Sequence, residues 1–338
     1  MPEQAPLKTL LVGAGSLGRA VLRALRDDPM DAIQLVGVVT AHHGGLLDED
    51  GLDPGEALLA VETDNMASVP SDFEAVLEAV SPDLLLECIP QNIRSGEPAV
   101  TFMRAALGRR IHVVTSNKAP IALAGRDLKA RARESGVQVR FEATVLDGLP
   151  VFAWLENTPG LDVCRVRGIL NATSSMVLES VSQGGSRARG LARAQARGIA
   201  EADSVLDLDG WDAAAKAALL ANVWMGGSVR VVDVVRSGCD DVKDAKLRAS
   251  EEAGLQYRIV ADVQKDQLGN IKAQVQPQAL GPDDPLHGLR GSQGGMVVTA
   301  RDGRSFCLRQ HASGLHDAAL GMLMDVQMIV RSGLLTQD

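Results

Sequence analysis

Up to Phe141, short and wholly apolar runs alternate with stretches whose apolar positions recur at helical spacing. Leu7-Lys-Thr-Leu-Leu-Val12 reads as a strand and Ala20-Val-Leu-Arg-Ala-Leu25 as a helix, followed by strands at Leu35-Val-Gly-Val-Val39 and Leu84-Leu-Leu-Leu-Glu-Cys-Ile89. A helix around Ala99 to Leu107, a strand at Ile111-His-Val-Val114, a helix from about Ala122 to Glu134 and a strand at Val137-Gln-Val-Arg-Phe141 continue the rhythm. Strands too apolar to face water, each separated by a helix, predict a parallel sheet covered on both faces: a Rossmann-type, doubly wound α/β domain over residues 1–141. From Glu142 the pattern changes. Helical spacing recurs close together at Ser174 to Gln183, Leu191 to Arg197 and Trp211 to Met225, and half-exposed alternation follows at Ile271 to Gln276 and Met296 to Thr299. Residues 142–311 are therefore expected to form an α+β domain with an open mixed or antiparallel sheet. A twin subunit could cover the sheet's second face, which predicts a homodimer. The final helix, in residues 312–338, is apolar enough to pack back on the first domain.

Composition removes several classes of function. A length of 338 residues exceeds what one core usually supports, consistent with two domains. No run approaches the roughly 18 apolar residues that span a bilayer, and the polar start before Leu7 leaves no room for an export signal. No membrane association and a cytoplasmic location are expected. A formal charge of −9, with basic residues interspersed among acids, opposes nucleic-acid binding. Cys88, Cys164, Cys239 and Cys307 lack CxxC spacing and read as reduced thiols. A small-molecule partner fits this balance.

Three features carry chemistry. Gly13-Ala-Gly15-Ser-Leu-Gly18 matches GxGxxG between a buried strand and a helix, so Gly13, Gly15, Ser16, Leu17 and Gly18 are candidate contacts for a dinucleotide pyrophosphate at a helix N-terminus. The second strand ends Val38-Val39-Thr40-Ala41-His42-His43, without the acid that reads the 2′-hydroxyl of NAD. Either histidine can approach the 2′-phosphate of NADP, whereas Asp48 or Glu49 can fold back to the ribose, so NAD and NADP both stay open. Lys118 follows an apolar strand and so stands at the carboxyl edge of the sheet, where such folds place ligands. The densest signal runs from Gly198 to Lys216, with Glu201, Asp203, Asp207, Asp209 and Asp212 among apolar neighbours. So many carboxylates cannot be buried without compensating cations, which an amino-acid substrate would supply. Asp212 and Lys216, four apart, fit a surface ion pair as well as a buried one.

Thr115-Ser-Asn-Lys118, Glu142 to Pro150, Gly168-Ile-Leu-Asn-Ala-Thr-Ser174, and the segment from Ala200 to Lys216 resemble the signature segments of homoserine dehydrogenases, in the same order. The likeness is looser beyond about residue 226. His311 to Asp317 stands for the glycine-rich stretch that contacts cofactor, leaving Gly314 as its candidate, and Ile89 occupies a position often held by threonine. The resemblance implies a short form, without a regulatory ACT domain or fused aspartate kinase. It also implies reversible NAD(P)-dependent interconversion of L-homoserine and L-aspartate 4-semialdehyde on the route to threonine, methionine and isoleucine. By the same resemblance Lys216 is the acid/base, Lys118 a second lysine near cofactor and substrate, and Asp212 the support of Lys216. Glu201 and Asp207 receive the substrate ammonium, and the backbone of Glu142, Val145, Asp147 and Leu149 holds a structural sodium ion. A related amino-acid dehydrogenase would not need the acid cluster ending in Lys216. A non-catalytic dinucleotide sensor would not keep both lysines and the carboxylates.

Overall fold

In a computed structural model that describes residues 5–70, 72–200 and 204–335, the chain divides into two compact units: 1–148 with 315–338, and 149–314. The first unit runs β1 (Leu7–Val12), α1 (Ser16–Asp27), β2 (Ile33–Val39), β3 (Gly45–Leu47), α2 (Pro54–Glu62), α3 (Phe73–Val80) and β4 (Leu84–Glu87). It continues through α4 (Ala99–Gly108), β5 (His112–Thr115), α5 (Lys118–Ser135) and β6 (Val139–Arg140). Its sheet has the order β3-β2-β1-β4-β5-β6, parallel except for β3. The expectation of buried strands holds: Leu10, Leu11, Leu84, Leu85, Leu86, Val113 and Val114 are all fully buried. The order reverses between β1 and β4, and the carboxyl ends of those strands form the ligand-binding crevice of this fold. Two aspartates start helices that the hydrophobic pattern alone does not reveal. Asp53 accepts the Gly55 and Glu56 N–H groups ahead of Pro54, and Asp72 accepts the Glu74 N–H. The last helix, Leu315–Leu335, lays Ala319, Met322 and Val326 into the same core as Leu11, Val21 and Leu86.

The second unit comprises α6 (Val151–Glu156), β7 (Val163–Ile169), α7 (Ala172–Ser182), α8 (Arg187–Ala196), α9 (Val205–Leu208) and α10 (Trp211–Met225). These precede β8 (Val235–Arg236), α11 (Asp244–Glu252), β9 (Gln256–Lys265), β10 (Ile271–Leu280), β11 (Gly294–Ala300) and β12 (Ser305–Gln310). The sheet order is β12-β11-β7-β9-β10-β8, antiparallel apart from the β10–β8 pair. Val166, Val263, Val275, Met296 and Val298 are buried on the sheet face toward α7 and α10. On the opposite face, Leu286 and Leu289 from the following loop cover Ile169 and Val260. Farther along, Arg165 makes a two-pronged contact with Asp262 (3.0 and 2.7 Å) and Arg167 reaches Asp284 at 2.9 Å. This second face is thus more polar than the half-apolar strand pattern implies. Among the described residues no helix is long and apolar enough to cross a membrane, and all four cysteines are thiols.

Candidate active site

The glycine turn behaves as its sequence requires. Gly13 has φ +97°, and a Cβ there would lie 2.6 to 2.7 Å from the Cys88–Ile89 backbone, so only glycine fits between β1 and β4. A Cβ on Gly18 would meet the Gly13 carbonyl oxygen at 2.1 Å, which lets α1 close onto the turn. Gly15 differs: nothing stands within 4 Å of its Cβ position, leaving the backbone open toward the crevice. The adjoining cavity, of about 1020 Å³, is lined by Gly13, Ala14, Gly15, Thr40, Ile89 and Pro90 among others. Ser16 and Leu17 begin α1 outside that lining, and Gly314 is not part of it. The open glycine backbone at a helix N-terminus beside a large cavity fits a dinucleotide.

At the end of β2, Thr40 donates to the Gly44 carbonyl and its oxygen accepts the His43 N–H, closing the turn. His43 Nδ1 lies 2.8 Å from Asp64. Asp48 is turned away, accepting the Asp50 N–H at 2.9 Å, and neither it nor Glu49 lines the cavity. The ionisable side chains that do are Arg19 and His43. Lys118 is the first residue of α5, which begins four residues before the expected Ala122, with only Ser116 and Asn117 between it and the buried end of β5. Its N-cap, Asn117, is tied back to β5 by its own N–H bond to Thr115 Oγ1 (2.8 Å).

The second unit gathers the lysine and two of the sequence-flagged acids. Asp212 and Lys216 share α10, with Nζ 3.2 Å from Asp212 Oδ2 and both side chains 11% exposed, which resolves the pair as mostly buried. Lys216 Nζ also donates to the Leu170 carbonyl at 2.6 Å. Asn171 caps α7 by accepting the Ser174 N–H, and its Nδ2 donates to Asp207 Oδ1 (2.8 Å) and Asp212 Oδ2 (3.1 Å). Thr173 donates to Asp207 Oδ2 at 2.9 Å. Burial first, and then the charge of Asp212, raise the Asp207 carboxyl above the usual aspartate range, while Asn171, Thr173 and Lys216 pull it down. Gly210, at φ +79°, makes the turn between α9 and α10 that brings both acids to the start of α7. Asn171, Thr173 and the Leu170 carbonyl complete this cluster, and nothing in the sequence pattern singles out any of the three. Glu201 lies outside the described residues.

The proposed sodium ligands occupy a tight segment in which residues 142–144 form a 3-10 turn, Glu142 and Val145 are buried, and Asp147 sits at φ +46°. Among the described residues no group of three or more His, Cys, Asp or Glu side chains is arranged to hold a metal ion, so any cation here would depend on backbone oxygens.

A Rossmann-type unit with an open glycine turn, followed by a unit holding a lysine against a buried carboxylate, defines a nicotinamide-dependent oxidoreductase. Comparison with known proteins narrows this class. The profile of "Homoserine dehydrogenase, NAD binding domain" matches residues 13–142 and that of "Homoserine dehydrogenase" matches 150–327. The homoserine dehydrogenase of Sulfurisphaera tokodaii is 30% identical over 333 residues, covering 97% of this chain and all of that protein. An NAD(+)-dependent homoserine dehydrogenase of Pseudomonas canavaninivorans is 30% identical, covering 98% of both chains. A hyperthermophilic archaeal homoserine dehydrogenase solved in complex with NADPH superposes with a TM-score of 0.79 at 26% identity, covering 97% of this chain and 98% of that one. The chain belongs to the homoserine dehydrogenase family of NAD(P)-dependent oxidoreductases.

Proposed function

We propose that this protein interconverts L-homoserine and L-aspartate 4-semialdehyde, with Lys216 as the proton-transfer group. The observation that carries the reading is the fixed Lys216 ammonium, held between the Leu170 carbonyl and Asp212. The bound nicotinamide supplies or accepts the hydride. In aldehyde reduction Lys216 gives a proton to the forming alkoxide, so developing negative charge meets a preorganised cation; in oxidation it takes the proton back. Asp212 keeps the lysine oriented through the ion pair. Asp207, fixed by Asn171 and Thr173, receives the substrate ammonium together with Glu201, and that cation relieves the mutual repulsion of the buried acids. Lys118 acts as the second lysine. The amino-acid biosynthetic pathway, a homodimer and a sodium ion on the backbone of Glu142, Val145, Asp147 and Leu149 belong to the same proposal.

The finer cofactor reading is NADP(H). It is supported by the Thr40 turn, whose own residues carry no carboxylate for a 2′-hydroxyl, and by Arg19 as a cation lining the cavity, whereas His43, the other ionisable lining group, is paired with Asp64. Incubating the purified protein with homoserine and either NADP or NAD, and following reduced nicotinamide, tests both readings. No reduction with either cofactor overturns the reaction, and faster reduction of NAD at equal concentrations overturns the preference.

A further inference from the structure

The last residue of β4 breaks the pattern of its strand. Glu87 follows three leucines, is 0% exposed, and pairs in register with Val12 of β1 and Thr115 of β5, directly at the point where the strand order reverses. A carboxyl group in that position is costly unless its oxygens are occupied, and here both are. Oε1 accepts the Ile89 N–H at 2.9 Å and Oε2 accepts the Thr115 hydroxyl. Thr115 Oγ1 in turn accepts the N–H of Asn117, the cap from which Lys118 starts α5. The Asn117 amide is itself buried and reaches the Ile89 carbonyl at 3.5 Å. Through the Cys88–Ile89 peptide the same carboxyl braces the backbone that packs on Gly13, and Ile89 and Pro90 line the cavity. One buried group therefore ties together the glycine turn, the exit of β4 and the exit of β5.

We propose that Glu87 is a positioning residue for the dehydrogenase reaction, holding the Ile89 and Thr115–Lys118 segments at the cofactor edge in their productive arrangement. The inference rests on the functional reading above. The ionised carboxylate is the organising form, because charge-assisted bonds to the Ile89 N–H and the Thr115 hydroxyl are the strong ones. Burial pushes its titration up to about 7, opposed by Thr115, Ile89 and Asn117. The titratable groups nearest along the flanking elements are the Cys88 thiol, which Glu87 and burial push well up, and Lys118 on α5; β1 presents the apolar Val12. Working enzyme should therefore gain activity as this group ionises.

The test compares Glu87→Gln, Thr115→Val and Thr115→Ser with the unmodified protein. Single-turnover aldehyde reduction with NADPH is followed from pH 6 to 9, alongside the NADPH Kd by fluorescence titration and amide exchange at residues 88–90 and 115–118. Small displacements of reacting groups cost up to about 100-fold in rate, so E87Q should lose about 10-fold or more at pH 8, with the NADPH Kd shifted by less than about 3-fold. The acid limb near neutral pH should flatten in E87Q, T115V should reproduce the loss, and T115S should restore most of the rate. Exchange at Ile89 and Asn117 should accelerate in E87Q. An E87Q protein with unmodified rate, with the acid limb unchanged, or with rate and cofactor affinity lost in equal measure overturns the proposal. Should the unmodified protein fail to turn over homoserine, the functional reading fails on its own, and unchanged exchange in E87Q still refutes the bracing role.

Discussion

Glu87 also makes a prediction about stability that is independent of catalysis. Its carboxyl is fully buried and titrates at about 7 instead of the ordinary 4.5, burial being the largest cause. Between those two values the folded protein holds a proton that the unfolded chain has released, so the folded state binds more protons and stability must fall as pH rises. The stabilisation is fully present below about pH 4.5, is lost through pH 7, and is flat above it. A shift of that size corresponds to about 3 kcal/mol. Glu87→Gln removes the titration while keeping the side chain's size and an acceptor for the Ile89 N–H. The difference in unfolding free energy between E87Q and the unmodified protein should therefore move in favour of the variant by about 3 kcal/mol from pH 4.5 to pH 8. Urea unfolding of both proteins across that range, with a probe in the first unit, measures it. A difference that stays constant with pH would refute the reasoning, because Glu87 would then ionise as it does in water.

Lys216→Ala should lower turnover by about 10² to 10⁴-fold with the NADPH Kd unchanged; retention of more than about a tenth of the rate, with chemistry limiting, misassigns the lysine. Arg19→Ala should weaken NADPH binding by about 10-fold or more, as loss of a charged hydrogen bond implies, and leave NADH binding nearly unchanged; equal effects on both would remove Arg19 from 2′-phosphate recognition. Homoserine oxidation needs neutral Lys216, and the Asp212 carboxylate 3.2 Å away favours the ammonium, so kcat for oxidation should climb well above pH 7; a maximum near pH 6 would point to a different base. Light scattering should give twice the 35.7 kDa of one chain; a monomer at micromolar concentration rules out the dimer.

The parts of the molecule that were legible in its sequence are those written in local pattern. Apolar runs such as Leu84-Leu-Leu-Leu and the GxGxxG turn each depend on neighbours within a few residues, and burial and the requirement for glycine follow from them directly. The spacing of Asp212 and Lys216 was equally local, but whether the pair is buried depends on Leu170 and Asn171, which arrive from a different strand-to-helix junction. Nothing in the run Asn171-Ala-Thr173 announces that both side chains turn toward Asp207, because that contact spans thirty-odd residues and exists only once α7 and α9 have docked. The early start of α5 was hidden for another reason: Pro120 falls in its first turn, where a missing N–H costs nothing, but reads as a break when taken alone.

In the sequence Glu87 reads as the tail of an apolar run, although an acid inside a strand this apolar contradicts the logic of burial that predicts the strand. Such contradictions are where local rules yield to a tertiary demand. The two effects expected of Glu87→Gln, a stability that gains on the unmodified protein as pH rises through neutrality and slower chemistry, have opposite signs for one cause. A carboxylate with no part in the reaction would show the first without the second, since an uncharged amide of the same shape folds with less desolvation cost. A group retained to hold the backbone beside Lys118 and the glycine turn must show both, so measuring rate and stability on the same variant separates the two reasons for burying a carboxylate there.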